Sequence, residues 1–333
     1  MKNFDQLKNL LSSPKKIVIV THPRPDGDAM GSSLGLYNYL RSKGHFPTVI
    51  LPTEYPDYFR WMRGTRKAIL YNRRKEDADA EINQADLVFC LDFNALKRVD
   101  PIHNVLEKLD VPFVLIDHHL EPELDEFQFA LHSIKSSSTC ELVADFIELM
   151  EGEWPNLNKD IVHCLYTGLV TDTGNFQNGA TTTRSFELAA KFMKLGLDLE
   201  FIRENVFNTY KEKRIRFLGN ALLNRLVVVQ QLKIAYISVT KEDVRTYDLN
   251  AGDTEGLVNY PLTIKGIKVA VLLKEHGDII KLSFRSKDDI SVNDFARKYF
   301  QGGGHKNAAG GKSSKSLSAT IIEITNLWKK EFA

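Results

Sequence analysis

Thr21-His22-Pro23-Arg24-Pro25-Asp26-Gly27-Asp28-Ala29-Met30-Gly31-Ser32 is the stretch on which the reading of this chain turns. A β-branched run, Ile17-Val18-Ile19-Val20, leads into it, and an apolar-periodic segment from Met30 to Leu40 leads out. That pattern is a buried strand, a short turn and a helix. One histidine and two aspartates lie on the turn, at the strand's carboxyl end, where α/β proteins build their sites. Pro23 and Pro25 stiffen the turn, and Gly27 allows another group close to the backbone.

The same arrangement recurs outward along the chain. Leu87 to Leu91 is a continuous apolar run ending at Asp92, and Phe113 to Ile116 is another, ending at Asp117-His118-His119. Thr48–Leu51 is a further strand, while the charged stretch from Arg63 to Glu81 reads as surface structure. Helical patterns intervene, one closing near Lys43-Gly44 and one opening at Pro101 and running to about Leu109. Short buried strands alternating with helices predict a mostly parallel sheet covered on both faces. In such a sheet the strand ends share one edge, so His22, Asp26, Asp28, Asp92 and His118 converge. Helices are then expected at Thr139–Met150, Asp160–Val170 and Thr183–Leu195, with Asp172 just where the second gives out.

The later part of the chain reads differently. Residues 196–224 are helical and charged, and are taken as a connection. Leu226–Gln230 with Ile234–Val239, and Lys268–Lys274 with Ile279–Phe284, read as two hairpins. A helix from Val292 to Tyr299, a glycine-rich stretch from Gly302 to Gly311, and an amphipathic helix to Phe332 complete a smaller mixed α/β module. The expectation is an α/β protein with a catalytic domain at 1–195, a helical linker at 196–224 and a substrate-binding domain at 225–333, the two facing each other across a cleft.

Composition narrows the class. The 333 residues exceed what one core usually organises. A net charge of +1, from 44 basic and 43 acidic residues, argues against nonspecific coating of nucleic acid. Arg60, Arg63, Arg66, Lys67, Arg73, Arg74 and Lys75 are diluted by Glu76, Asp77 and Asp79, and read as a solvated face. Cys90, Cys140 and Cys164 have neither disulfide-framework nor zinc-knuckle spacing, and fit a reducing compartment. No run approaches the roughly 18 apolar residues of a membrane span, so a cytoplasmic protein with no membrane partner is expected.

Four carboxylates (Asp26, Asp28, Asp92, Asp172) and two imidazoles (His22, His118) form a hard oxygen and nitrogen donor set suited to Mn²⁺ or Mg²⁺. Crowding those carboxylates without cations is unfavourable. Two cations about 3.5–4 Å apart would neutralise them and activate water for in-line attack on phosphorus. Gly302, Gly303 and Gly304 free the backbone to present N–H groups to an anion, with His305 and Lys306 as charged donors. On spacing alone, a tight strand–helix turn is the commoner meaning of such glycines. Arg285 is a candidate bidentate phosphate partner. Phe176 stands near Asp172, either beside a base or in the core, and Arg24 has no assigned role.

Together, the Thr21–Ser32 stretch, the Asp92 segment, Asp117-His118-His119 and Thr171-Asp172-Thr173-Gly174 resemble the four motifs of the DHH phosphoesterase family. The Gly302-Gly303-Gly304-His305 stretch with Ala308-Ala309-Gly310 resembles its associated DHHA1 domain. The resemblance implies one Mn²⁺ on His22, Asp26 and Asp92, and a second on Asp28, Asp92, His118 and Asp172, with Asp92 bridging. Mg²⁺ or Co²⁺ would be substitutes. Adjacent residues on a turn cannot all face one metal, so Asp117 is expected to fix an imidazole tautomer. His119, as in the family, would meet a phosphate or leaving oxygen.

This compact build resembles the family's NrnA type. The implied substrates are short RNA or DNA oligonucleotides, or small nucleotides such as 3′-phosphoadenosine 5′-phosphate. A cyclic di-AMP or pApA phosphodiesterase and an exopolyphosphatase-like enzyme are enzymatic alternatives, and a nucleotide-binding regulatory protein is the non-enzymatic one. The apolar faces of the helices between Val143 and Ile202 are candidates for pairing two copies in a homodimer.

Overall fold

A computed structural model describes residues 2–177, 179–250 and 252–332. The chain forms two units, Met1–Thr209 and Tyr210–Ala333.

In the first unit the elements run α1 (Phe4–Leu10), β1 (Lys16–Thr21), α2 (Gly27–Ser42), β2 (Phe46–Leu51), β3 (Ile69–Leu70), α3 (Lys75–Asn83), β4 (Leu87–Leu91), α4 (His103–Leu106), β5 (Phe113–Asp117), β6 (Phe129–His132), α5 (Thr139–Glu151), α6 (Lys159–Asp172), α7 (Thr183–Lys194) and α8 (Leu199–Ile202). The sheet order is β3-β2-β1-β4-β5-β6, and every pairing is parallel. The chain builds β1 to β3 outward in one direction, then returns to place β4 on the other side of β1. The crossover directions therefore diverge between β1 and β4, which is where an open parallel sheet leaves a crevice.

Alternate strand residues face two cores. Ile17, Ile19, Phe89, Leu91 and Ile116 pack with α2, α5 and α6 through Met30, Leu34, Phe146 and Leu165. Val18, Val20, Cys90 and Leu115 pack on the opposite face against Ala78, Ile82, Ile102 and Leu106. Burial on both faces explains the uninterrupted apolar runs.

The packing of α2 on α6 positions the site. A methyl group on Gly31 would lie 2.5 Å from the Cys164 carbonyl oxygen, and one on Gly27 would lie 2.2 Å from Thr171 Oγ1. The glycines thus let the two helices approach closely, drawing Asp28 at the start of α2 toward Asp172 at the end of α6.

Three features depart from expectation. The helix predicted from Pro101 to Leu109 is only one turn, His103–Leu106, after a 3₁₀ turn at Leu96–Val99. Ile102 and Leu106 supply its buried face, and Pro112 forces the preceding chain to extend. β3 and β6 are edge strands too short for an alternation signal. The segment 196–224 is divided: Leu197, Ile202 and Val206 join the first core, whereas Phe217 and Ala221 join a core of the second unit.

The second unit contains α9 (Glu212–Asn220), β7 (Leu226–Val229), β8 (Ile234–Val239), α10 (Lys241–Thr246), β9 (Val269–His276), β10 (Ile279–Ser286), α11 (Val292–Phe300), β11 (Gly303–His305), β12 (Ala308–Ser313) and α12 (Leu317–Phe332). Its sheet order is β11-β12-β10-β9-β8-β7. The two expected hairpins are antiparallel pairs, joined by a parallel β8–β9 contact. Phe284, Phe295, Phe300, Ile324 and Trp328 centre one of its cores. No helix among the described residues is long and apolar enough to cross a membrane.

Candidate metal centre

Thr21 pairs with Leu91, and Leu91 with Ile116, so the residues after β1, β4 and β5 emerge side by side. Asp26 caps α2, its Oδ1 accepting from the amides of Asp28 (3.0 Å) and Ala29 (3.1 Å). Asp28, 2% exposed, is aimed inward. Its Oδ2 accepts from the Thr139 amide at 2.6 Å and its Oδ1 from the Cys140 amide at 2.8 Å. Those are first-turn N–H groups of α5, which have no partner within the helix and favour a negative charge. Asp92 is held in left-handed backbone at φ 64°, a strained position characteristic of functional turns.

The two imidazoles are oriented alike. His22 places Nδ1 3.0 Å from the Pro23 carbonyl, and His118 places Nδ1 3.4 Å from the Ser136 carbonyl. A carbonyl only accepts, so each ring donates from Nδ1 and turns Nε2 toward the carboxylates. His22 Nε2 lies 3.4 Å from Asp92 Oδ2 and 4.0 Å from Asp26 Oδ1. His118 Nε2 lies 3.5 Å from Asp172 Oδ2, 3.7 Å from Asp92 Oδ1 and 3.9 Å from Asp28 Oδ2. Two groups result, His22–Asp26–Asp92 and Asp28–Asp92–His118, each with donor atoms within 4.8 Å of one another. They share Asp92, one oxygen toward each imidazole.

The electrostatics show what this arrangement costs. Burial, then repulsion from Asp92, pushes the Asp28 carboxyl up to about 7. Burial, then Asp28, Asp26 and Asp92, pushes Asp172 well above the usual range. For Asp92 burial acts upward, but the His22 hydrogen bond and the surrounding imidazoles hold its carboxyl below the usual range. Burial opposes charge on His22, yet the hydrogen bond and charge of Asp92 outweigh it and raise that imidazole to about 9. Carboxylates crowded in this way call for countercharge, and neutral imidazoles with carboxylates and no thiolate are the donors that hard divalent ions take. The residues fit such ions.

Asp117 and His119 form a separate pair. Asp117 is fully buried; its Oδ1 lies 2.7 Å from His119 Nδ1, and its Oδ2 accepts from the His119 amide at 3.1 Å. Both its oxygens therefore orient His119, whose Nδ1 is 3.7 Å from Asp92 Oδ1. These three also form a close donor group, but Asp117 is committed to the imidazole.

Sequence reading missed Ser136 and Thr139. Ser136 receives His118 through its carbonyl, and Thr139 Oγ1 donates to Asp92 Oδ1 at 3.0 Å. The available signal was the hydroxyl-rich run Ser136-Ser137-Ser138-Thr139 opening a helix.

In the second unit, Arg285 lies on β10, its Nη1 donating to the Phe284 carbonyl at 3.0 Å. Burial lowers the pKa of its guanidinium, and Glu255 partly offsets this. Gly302 to His305 lie at a strand rather than in an open loop. Gly303–His305 pairs with Ala308–Gly310 as a β-hairpin. A methyl group on Gly302 would lie 1.9 Å from the Gly310 carbonyl oxygen, and one on Gly304 (φ 148°) would lie 2.4 Å from that of Ala308. These glycines permit close backbone contact within the hairpin. β11 is an edge strand, so one row of its backbone groups still points outward. Lys306 is paired with Asp289 at 2.8 Å.

The weaker signals have local partners. Phe176 stacks on Phe186 with ring centroids 5.0 Å apart. Arg60, Arg73 and Arg74 pair with Asp57, Glu54 and Asp77. The Arg24 amide donates to Thr53 Oγ1 at 2.6 Å.

Comparison with known proteins accounts for both units. Residues 16–169 match the N-terminal domain of the DHH family, and residues 229–331 match the DHHA1 domain. The bifunctional oligoribonuclease and PAP phosphatase NrnA of Thermus thermophilus is 29% identical over 301 residues, covering 88% of this chain and 83% of that protein. Its counterpart of the same name from Bacillus subtilis is 28% identical over 311 residues, covering 92% and 91%. An exopolyphosphatase-related protein from Bacteroides fragilis, known from its crystal structure, matches with a TM-score of 0.94 and 38% identity, covering 98% of this chain and 95% of that one.

Proposed function

The chain belongs to the DHH family with its DHHA1 domain and is a metal-dependent phosphoesterase, and we propose that it hydrolyses short oligonucleotides and 3′-phosphoadenosine 5′-phosphate. The substrate class is carried over from the NrnA relatives. The observation that supports a two-cation centre most directly is Asp92, shared between two donor groups and offering a different oxygen to each imidazole.

His22, Asp26 and Asp92 would hold one cation, and Asp28, Asp92, His118 and Asp172 the other. We propose Mn²⁺ for both, with Mg²⁺ or Co²⁺ able to substitute. When bound, such ions supply Lewis acidity toward phosphoryl oxygens and lower the pKa of water. The chain's own residues do the rest. Asp117 holds His119 by ring and amide, so the imidazole meets the substrate in one orientation. Burial disfavours charge on His119, but the Asp117 hydrogen bond and Asp92 raise its pKa overall. With Nδ1 committed to Asp117, Nε2 of His119 would be the atom that delivers a proton to the leaving oxygen. Arg285 and the Gly302–His305 hairpin are the proposed grips for substrate phosphate.

The test is a substrate panel on protein stripped by chelation and refilled with Mn²⁺, Mg²⁺ or Co²⁺: di- to pentanucleotide RNA, 3′-phosphoadenosine 5′-phosphate, cyclic di-AMP, pApA and polyphosphate. Turnover of short RNA and 3′-phosphoadenosine 5′-phosphate is expected, and Asp92→Ala should abolish it. Activity surviving in Asp92→Ala would overturn the metal assignment. A second reading, polyphosphate as substrate, is favoured by the name of the Bacteroides fragilis protein; preference for polyphosphate over every nucleotide in the panel would establish it instead.

A further inference from the structure

One side chain on the neighbouring strand reaches the same imidazole's backbone. His132 ends β6, which pairs in parallel with β5 so that Asp117 and His132 are register partners. His132 Nε2 lies 2.6 Å from the His119 carbonyl oxygen and 4.0 Å from Asp117 Oδ2. A carbonyl only accepts, so Nε2 of His132 carries a proton and donates it. His119 is thereby fixed at three points: its amide and Nδ1 by Asp117, and its carbonyl by His132.

The geometry gives these contacts different jobs. The two bonds to Asp117 both lie on the amide and ring side of His119. Neither restrains the peptide plane that follows, and that plane begins the stretch from Leu120 to Glu123, which is outside any helix or strand. The His132 bond anchors that plane to β6. The next carbonyl, that of Leu120, accepts from Asn94 Nδ2 at 2.7 Å, so the His132 bond is what holds the His119 carbonyl itself. Its loss should loosen the ring whose Nδ1 makes the short bond to Asp117. His132 ends an edge strand of the sheet, with its side chain 16% exposed.

We propose that His132 is a positioning residue for His119, holding the imidazole in the orientation from which it serves the leaving oxygen. The proposal rests on the assignment of His119 as the proton donor. The contacts of His132 are with Asp117 and His119 and not with the six residues that would hold the cations, so it should affect proton delivery and leave metal loading alone.

Two substitutions separate this role from a structural one. His132→Phe keeps the ring bulk without a donor, and His132→Gln restores an N–H within reach of the carbonyl; His132→Leu replaces the Phe variant should that one not fold. In His132→Phe, kcat should fall about tenfold with KM changed less than about twofold, as for loss of an orienting partner. Mn²⁺ binding by calorimetry should match wild type, and His132→Gln should recover most of kcat. Imidazole ¹⁵N NMR supplies a readout independent of turnover. The Nδ1-protonated state of His119, bonded to Asp117, should be seen in wild type, weakened in His132→Phe and regained in His132→Gln. Wild-type kcat in His132→Phe, no recovery in His132→Gln, or an unchanged His119 Nδ1 signal would each overturn the proposal. If wild type hydrolyses nothing in the panel, the assignment of the reaction fails, and the NMR comparison alone decides for or against His132.

Discussion

Thr139 donates its hydroxyl to Asp92 Oδ1 at 3.0 Å. The amide of the same residue donates to Asp28 Oδ2 at 2.6 Å. One residue at the start of α5 therefore holds both the carboxylate common to the two donor groups and the most deeply buried carboxylate of the second.

Removing that hydroxyl without changing bulk tests its role. Thr139→Val should lower Mn²⁺ affinity by about 10–100-fold, the cost typical of losing a partner that orients a ligand. Thr139→Ser should restore it. Calorimetric titration of chelator-treated protein measures both, and equal affinity in the Val variant would remove Thr139 from the site.

The close approach of α2 to α6 is equally testable. Gly31→Ala sets a methyl group 2.5 Å from the Cys164 carbonyl and 2.9 Å from Cys140 Sγ. Backbone cannot give way cheaply, so overpacking should cost about 1–3 kcal/mol in denaturant unfolding. Because Asp28 stands one turn earlier on the same helix, metal affinity should fall along with stability.

Arg285 separates substrate binding from metal binding. Arg285→Ala should raise KM for a phosphorylated substrate by about tenfold or more, the loss of a charge-assisted hydrogen bond. Metal stoichiometry should be unchanged, since Arg285 belongs to the second unit. A normal KM would leave the guanidinium a purely structural role on β10.

Asp243 provides a pH test away from the site. Burial acts to raise its pKa, but hydrogen bonds from Thr240 and Arg225 outweigh burial and lower it. Its Oδ2 caps α10 and its Oδ1 accepts from Arg225 Nη2 at 3.0 Å. A carboxylate depressed by folding stabilises above its unfolded pKa, and that stability is lost as pH falls through the folded value. Asp243→Asn should therefore cost about 1–3 kcal/mol near neutral pH. The gap from wild type should close as pH falls below about 4, the ordinary aspartate range. Urea unfolding across that range measures it, and a gap independent of pH would assign the loss to packing.

Much of this architecture was legible because β1, β4 and β5 are buried on both faces, and such strands must be continuously apolar whatever their neighbours. Each run stops abruptly at a polar residue, so the positions of His22, Asp92 and His118 at one sheet edge follow from parallel topology alone. β6 was illegible because four residues at a sheet edge are too few to show an alternation. With β6 went any view of His132, whose partner is reached only through the β5–β6 register.

The glycine stretch shows the same limit from the other side. Its composition speaks of backbone freedom, and both an open loop and a hairpin need that. Only the approach of Gly310 and Ala308 to within contact of Gly302 and Gly304 distinguishes them.

What the amino-acid sequence determines by itself is therefore the strand edges, the helices between them and the chemical kind of each donor, because burial and donor type are local properties. The tertiary structure decides which donors share a neighbour and what holds them still. Asp92 stands between two imidazoles because the chain diverges between β1 and β4. Asp28 rests on the amides of Thr139 and Cys140 at the start of α5 because Gly31 on α2 and Gly168 on α6 leave the room that Cys140 Sγ takes. These are distances between residues far apart in the chain, and a hydrogen bond depends on such distances to within a few tenths of an ångström.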